Sequence, residues 1–322
     1  MNIAVIGLGS MGKRRIRHIK DMYPDYTVVG VDGREDRRAE LEKITQIKSF
    51  SDISKIDLKV DCAFICTPPL THASIITECL NRRWNVFTEL NLIDADYKTN
   101  MALARKNGCA LFISSTFFYR EEIKYIDSVV KDGQKWNYIY HIGQYLPDWH
   151  PWESYKDFFI GDKRTNGCRE ILAIELPWLL HTFGAVKEIK AVSDKMTRLC
   201  IDFDDNYMIH LIHENGNKGT LIADVVSPVA VRKLEAYSEG KYLSWNGTPD
   251  SVCVFDSMDK GLKAVVLTEQ AQYLEGYSSF VVENAYKNEI RVFFDVVLRG
   301  KKPRYSFEQD LEVLKLIDSI GA

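Results

Sequence analysis

No apolar run in the sequence approaches the ~18 residues that a bilayer-crossing helix needs. No CxxC pair occurs, and the seven cysteines are an odd number. Cys62, Cys66 and Cys109 sit in apolar, strand-like runs. Small buried thiols in a reducing compartment are therefore expected, rather than a disulfide framework. Neither charge dominates: the net charge of -3 leaves no basic field for nucleic acid. Internal repeats and low-complexity linkers are absent. Histidines number only seven, and the closest pair, His210 and His213, falls in a strand-like YMIHLIH. Three residues apart in a strand means opposite faces, so no metal site is expected. The chain opens directly on the strand-like MNIAVIG, so no signal peptide and a cytoplasmic location are expected.

What is present fits two domains. The chain has 322 residues, long for one hydrophobic core and comfortable for two. In residues 1–114, β-branched runs (NIAVIG, YTVVGVD, DCAFICT, NVFTE, CALFIS) alternate with helical patterns over 13–22, 34–43, 71–82 and 94–107. That alternation predicts parallel strands with crossover helices. From about residue 135 the texture changes to long alternating runs with turns such as Asn215-Gly216 and Glu239-Gly240. These predict a largely antiparallel open sheet. Helices are expected over 169–183, 279–299 and 306–320. The expected class is α/β: a doubly wound Rossmann domain over 1–119, then an α+β domain over 120–322. The last helix is expected to pack back on the first domain.

The first run leads straight into Gly7-Leu8-Gly9-Ser10-Met11-Gly12. A GxGxxG that follows a strand and opens a helix allows a tight turn, close approach of a pyrophosphate and close helix packing. The helix N-terminus supplies amide donors for the phosphates. Asp32 ends the second run, twenty residues after Gly12, where a carboxylate accepts from an adenosine ribose. It repels a 2′-phosphate, so NAD is expected. Arg34, Arg37 and Arg38 follow closely and keep NADP open. The fourth element ends in Cys66-Thr67-Pro68-Pro69-Leu70-Thr71-His72. Thr67, Pro68 and His72 are candidate cofactor contacts there, because doubly wound sheets bind ligands at strand carboxyl ends.

With these motifs in place the chain resembles the Gfo/Idh/MocA family of sugar and cyclitol dehydrogenases. The resemblance rests on the GxGxxG start, the TPPxxH loop, Val86-Phe87-Thr88-Glu89, the antiparallel second half and the late helix from Phe294 to Gly300. It covers essentially the whole chain. It implies a nicotinamide cofactor on the first half, with Glu89 near it. It implies a polyol, sugar or sugar nucleotide as small-molecule substrate of the second half, and a homodimer or homotetramer built through the open sheet. Two departures stand out. The family reads Glu-Lys-Pro where this chain reads Glu89-Leu90-Asn91, so the family lysine is missing and Asn91 becomes a candidate substrate contact. The family's Asp-x-x-x-His pair is also missing. With Gly167 matched to the last family glycine, its positions fall on Ile171 and Glu175.

Glu175 interrupts an otherwise apolar stretch, CREILAIELPWLLH. At about 100° per residue it falls within the arc of Trp178, Ile171, Leu179, Leu172, Phe183 and Leu176, whereas Glu170, Ile174, Pro177 and His181 lie on another face. A carboxylate on an apolar face is costly unless paired, protonated or facing a cavity. Two readings follow: a catalytic base, or a core carboxylate neutralised by an arginine such as Arg169. His181 and Tyr119 are further catalytic candidates. Arg120, Trp149, His150 and Arg169 are candidate substrate contacts, and the aromatic 148–152 segment suits an oligomer contact equally well. Three functions are compatible with this pattern. One is an NAD(P)-dependent oxidoreductase of a sugar-like or sugar-nucleotide-like substrate. The second is a dinucleotide-binding sensor or assembly partner without turnover. The third is a reductase of a non-sugar substrate.

Overall fold

A computed structural model describes residues 1–149, 153–274 and 278–322. Its helices and strands, in chain order, are β1 (Asn2–Ile6), α1 (Ser10–Met22), β2 (Thr27–Val31), α2 (Glu35–Thr45), β3 (Ser49–Phe50), β4 (Cys62–Ile65), α3 (His72–Asn81), β5 (Asn85–Thr88), α4 (Tyr97–Asn107) and β6 (Leu111–Ile113). There follow α5 (Glu121–Val130), β7 (Asn137–Gly143), α6 (Gly167–Phe183), β8 (Val186–Asp194), β9 (Asn206–His213), β10 (Lys218–Asp224), β11 (Val231–Ser238), β12 (Lys241–Trp245), β13 (Cys253–Asp256), β14 (Gly261–Ala264), α7 (Glu283–Arg299) and α8 (Phe307–Ile320).

The chain divides into two compact units, residues 1–116 with 286–311 and residues 117–285 with 312–322. The first contains a parallel sheet ordered β3-β2-β1-β4-β5-β6, the doubly wound arrangement. Its central strands are unbroken apolar runs because helices cover both faces: β4 is buried at every position. Sequence periodicity places the domain boundary at 119, but residues 286–311 return to the first unit. The cause lies in α7, where Phe293 packs edge-on against Phe64, Phe87 and Phe112 of the sheet.

The second unit is built on an eight-stranded sheet ordered β14-β13-β12-β11-β7-β10-β9-β8. β7 and β10 pair in parallel, and the other pairings are antiparallel. Residues of β9 alternate between buried and accessible, as in a sheet with one closed and one open face. His213 is buried and His210 exposed, on those two faces. Cys168, Leu172, Leu176, Leu179 and Phe183 of α6, all fully buried, supply the apolar seam of that helix. Pro177 sits within α6, which continues past it to Phe183. Sequence periodicity did not reveal α5, β3, β8 or β12 to β14.

Candidate functional site

The glycine loop separates into positions that the fold requires and one that it does not. Gly7 has φ +92°, and a Cβ there would lie 2.6 Å from the Cys66 carbonyl oxygen. A Cβ on Gly12 would lie 1.9 Å from the Gly7 oxygen. Both must be glycine for β1, β4 and α1 to pack. Gly9 differs. Its φ of -72° suits any residue, and a Cβ would meet only the Arg37 guanidinium, at 3.8 Å. Space is therefore kept in front of Gly9 without any need from the protein itself. Ser10, Met11 and Gly12 open α1, whose N-cap Gly9 offers no side-chain acceptor and whose first turn holds no acid. The first amides of a helix have no intrahelical partner, so those of α1 suit an anion.

Asp32 is fixed beside this loop. Its Oδ2 accepts from Leu8 N at 2.8 Å and its Oδ1 from Arg34 N at 2.9 Å. Of the three arginines nearby, Arg34 turns its guanidinium to Asp36. Arg38 donates to the carbonyls of Asp32 and Gly33. Arg37 approaches Asp32 at 3.6 Å. The Arg34 side chain is thus engaged by a carboxylate, and its backbone amide positions Asp32.

The TPPxxH loop follows β4. Thr71 donates to Thr67 Oγ1 at 2.8 Å, and Pro68 leads into a short 3-10 turn over Pro69–Thr71. His72 is buried, with Nε2 2.7 Å from the Thr67 carbonyl and Nδ1 2.6 Å from Asn91 Oδ1. It holds the loop from beneath. Burial holds its pKa below the usual histidine value. Asn91, expected as a substrate contact, is buried against this ring. Glu89 is held by Arg15, Oε1 to Nε at 2.6 Å and Oε2 to Nη2 at 3.0 Å. Arg15 Nη2 also donates to Glu289 Oε2 of α7 at 2.7 Å and to Ser114 Oγ at 3.2 Å. Burial pushes the Glu289 carboxyl up to about 7, despite the arginine beside it.

In the second unit Glu175 is fully buried and fully engaged. Its Oε1 accepts from Arg232 Nε and Nη2 at 3.1 and 2.8 Å. Its Oε2 accepts from the Tyr140 hydroxyl and from Trp178 Nε1, both at 2.7 Å. The catalytic-base expectation is corrected on this geometry: a carboxylate with four donors on it is packing, not a free acceptor for a substrate proton. The arginine is Arg232, from β11, and not Arg169. Arg169 instead meets Asp318 at 2.8 Å and the Ala322 carbonyl at 2.6 Å, tying α6 to the end of the chain. Arg120 spends Nε, Nη1 and Nη2 on Glu122, Phe280 O and Gly247 O, which corrects its assignment as a substrate contact. His181 is half exposed beside Lys131 and Asp127, away from Glu175. Tyr119 is buried. Trp149 is half-buried and donates to the Gln144 carbonyl at 2.9 Å. His150 lies outside the described residues.

The carboxylate that α6 leaves unspent is Glu170. It points away from the Glu175 face, about 140° around the helix. Among the described residues it has no hydrogen bond and no ion pair, and burial alone pushes its carboxyl up to about 7. Its place on the face of Ile174 and His181 is legible in the heptad spacing. Its freedom from partners is not.

The chain thus combines a doubly wound unit carrying a glycine loop and a β2 aspartate with a unit built on a mostly antiparallel sheet. Residues 1–115 match the family described as "Oxidoreductase family, NAD-binding Rossmann fold". A myo-inositol 2-dehydrogenase of Thermotoga maritima is 30% identical over 141 residues, 41% of this chain and 41% of that enzyme. The chain thus aligns with well under half the length of that relative. An oxidoreductase from Agrobacterium radiobacter, solved with NAD+, L-tartaric acid and magnesium, has the same fold, with TM-score 0.84 and 13% identity over 99% of this chain and 94% of that one. Levoglucosan dehydrogenase, solved with NADH and levoglucosan, gives TM-score 0.79 and 16% identity over 100% and 96%. At these identities the two structures establish the fold.

Proposed function

We propose that this protein is an NAD-dependent oxidoreductase that moves hydride to or from a sugar, cyclitol or sugar-nucleotide-like small molecule. The observation that carries the reading is the open position at Gly9, beside free helix amides and a fixed Asp32. Nothing in the protein needs a glycine there, whereas a pyrophosphate does. The carboxylate at Asp32 and the engagement of Arg34 by Asp36 favour NAD over NADP. Two of the named relatives, myo-inositol 2-dehydrogenase and levoglucosan dehydrogenase, carry a cyclitol and a sugar derivative in their names, which supports the substrate class.

With Glu175 spent on packing and Leu90 where the family lysine stands, the proton falls to another group. Glu170 is the residue we put forward for it, a half-buried carboxylate with no hydrogen bond or ion pair among the described residues. The test is single-turnover hydride transfer from NADH or to NAD across sugars, cyclitols and sugar nucleotides. Glu170→Gln is expected to keep its melting temperature and dinucleotide affinity and to lose ~10²-fold or more in rate. Undiminished turnover in that variant overturns the assignment. The absent lysine also fits a sensor without turnover, and a parent protein inactive on the whole panel supports that second reading.

A further inference from the structure

Arg232 shares its parity along β11 with Leu234 and Ala236, both fully buried, so its side chain belongs to the closed face of the second sheet. A cation is costly there unless it is paired. Glu175 of α6 supplies the pair, with Nε and Nη2 donating to its Oε1 at 3.1 and 2.8 Å. The rings of Phe117 and Phe280 lie 5.0 and 5.3 Å from the guanidinium carbon. Gly247 makes room for Phe280. Its φ is +89°, and a Cβ there would stand 2.7 Å from the Phe280 ring and 3.0 Å from the Arg232 Cβ.

Packing accounts for only part of this arginine. Arg120, which also lies over Phe117, is the comparison: its Nε, Nη1 and Nη2 all donate to protein acceptors, and it is buried. Arg232 Nη1 makes no hydrogen bond or ion pair among the described residues, and it is not sealed from solvent. The side chain is 14% exposed. A guanidinium held at Nε and Nη2 still has its outer edge, between Nη1 and Nη2. That edge carries parallel N–H donors that match the two oxygens of a carboxylate. Glu175 cannot turn to close it, because the Tyr140 hydroxyl and Trp178 Nε1 both donate to Oε2 at 2.7 Å and pin the carboxylate in place. Arginine keeps its proton at any working pH, so the edge is a fixed cation that binds and orients and does not exchange protons.

We propose that Arg232 is a carboxylate-binding residue, and that the small molecule this protein acts on is an acidic sugar or cyclitol, such as a uronate or an aldonate. The substrate half of the proposal rests on the dehydrogenase reading given above, whereas the carboxylate site rests on the Arg232 geometry alone. A carboxylate fits better than a phosphoryl group. It is coplanar with the fork that holds it, while a phosphoryl group sends further oxygens out of that plane, where Phe117 and Phe280 crowd the guanidinium.

The experiment is calorimetric titration beside a melting curve, with uronates and aldonates, their neutral counterparts and the corresponding sugar phosphates, all at one ionic strength. The parent protein is expected to bind a sugar acid about tenfold or more tightly than its neutral counterpart, and more tightly than the phosphate. Arg232→Lys keeps a cation beside Glu175 without the planar fork, and is expected to fold and to lose that preference. The double variant of Arg232→Gln and Glu175→Gln removes both charges together and leaves an amide oxygen for Tyr140 and Trp178, which separates folding from binding. It is expected to fold and to bind acid and neutral sugar alike. Glu175→Gln alone leaves the guanidinium without a counter-charge, which a bound carboxylate then supplies. Its melting temperature is expected to rise on addition of the sugar acid by more than that of the parent. Equal affinity for acid and neutral sugar in the parent, an acid preference that survives in the double variant, or tighter binding of the phosphate overturns the proposal. An intact acid preference without hydride transfer to or from any member of the panel overturns the dehydrogenase reading instead and leaves the Arg232 site standing.

Discussion

The glycine loop shows how one residue type meets different demands at three positions, Gly7, Gly9 and Gly12. Gly7 is required by a positive φ and a carbonyl contact, and Gly12 by a backbone oxygen where its Cβ would be. Gly9 is required by neither, which makes it the position where ligand and fold can be separated. Gly9→Ala is expected to melt with the parent and to lose at least about tenfold in dinucleotide affinity, or about 1.4 kcal/mol. Gly12→Ala is expected to be destabilised outright. Calorimetric titration beside a melting curve checks both. Unchanged affinity in a folded Gly9→Ala protein contradicts the phosphate-loop reading.

Helix α6 shows what sequence periodicity can and cannot deliver. The spacing of Leu172, Leu176, Leu179 and Phe183 predicts a helix with one buried face, and that helix is present. The spacing also places Glu175 inside the apolar arc. It cannot supply the partner, because Arg232 is 57 residues away on β11. Nor could it bring Tyr140 to the same carboxylate, or find the pairs Tyr97–Asp310 and Arg15–Glu289, whose members lie 213 and 274 residues apart. The local motifs at Gly7–Gly12 and Asp32 were legible because chain neighbours build them. Tertiary pairing was not. The pair does bear on stability. Glu175→Gln leaves Arg232 without a counter-charge at a site only 14% exposed, so a loss of about 3 kcal/mol is expected. Denaturant unfolding checks this, and a variant as stable as the parent contradicts the packing role.

For the whole molecule, the parallel sheet of the first unit and the mostly antiparallel sheet of the second agree with the α/β class read from the sequence. The open face of the second sheet carries Ile139 and Met208, both exposed on strands whose other face is closed. Exposed apolar side chains clustered on one sheet face suit contact with a second copy. We therefore propose a homo-oligomer through that face. Light scattering is expected to report a dimer or tetramer in the parent and a monomer in Ile139→Glu, and a monomeric parent contradicts it. None of the described helices is long and apolar enough to cross a membrane. The central claim is that the first unit exists to hold NAD. The most direct measurement is a fluorescence titration of the purified parent protein with NADH and NADPH. Saturable binding of one NADH per chain is expected, tighter than that of NADPH because a carboxylate at Asp32 would repel a 2′-phosphate. Saturable binding of neither dinucleotide contradicts the account, and tighter binding of NADPH contradicts the role given to Asp32.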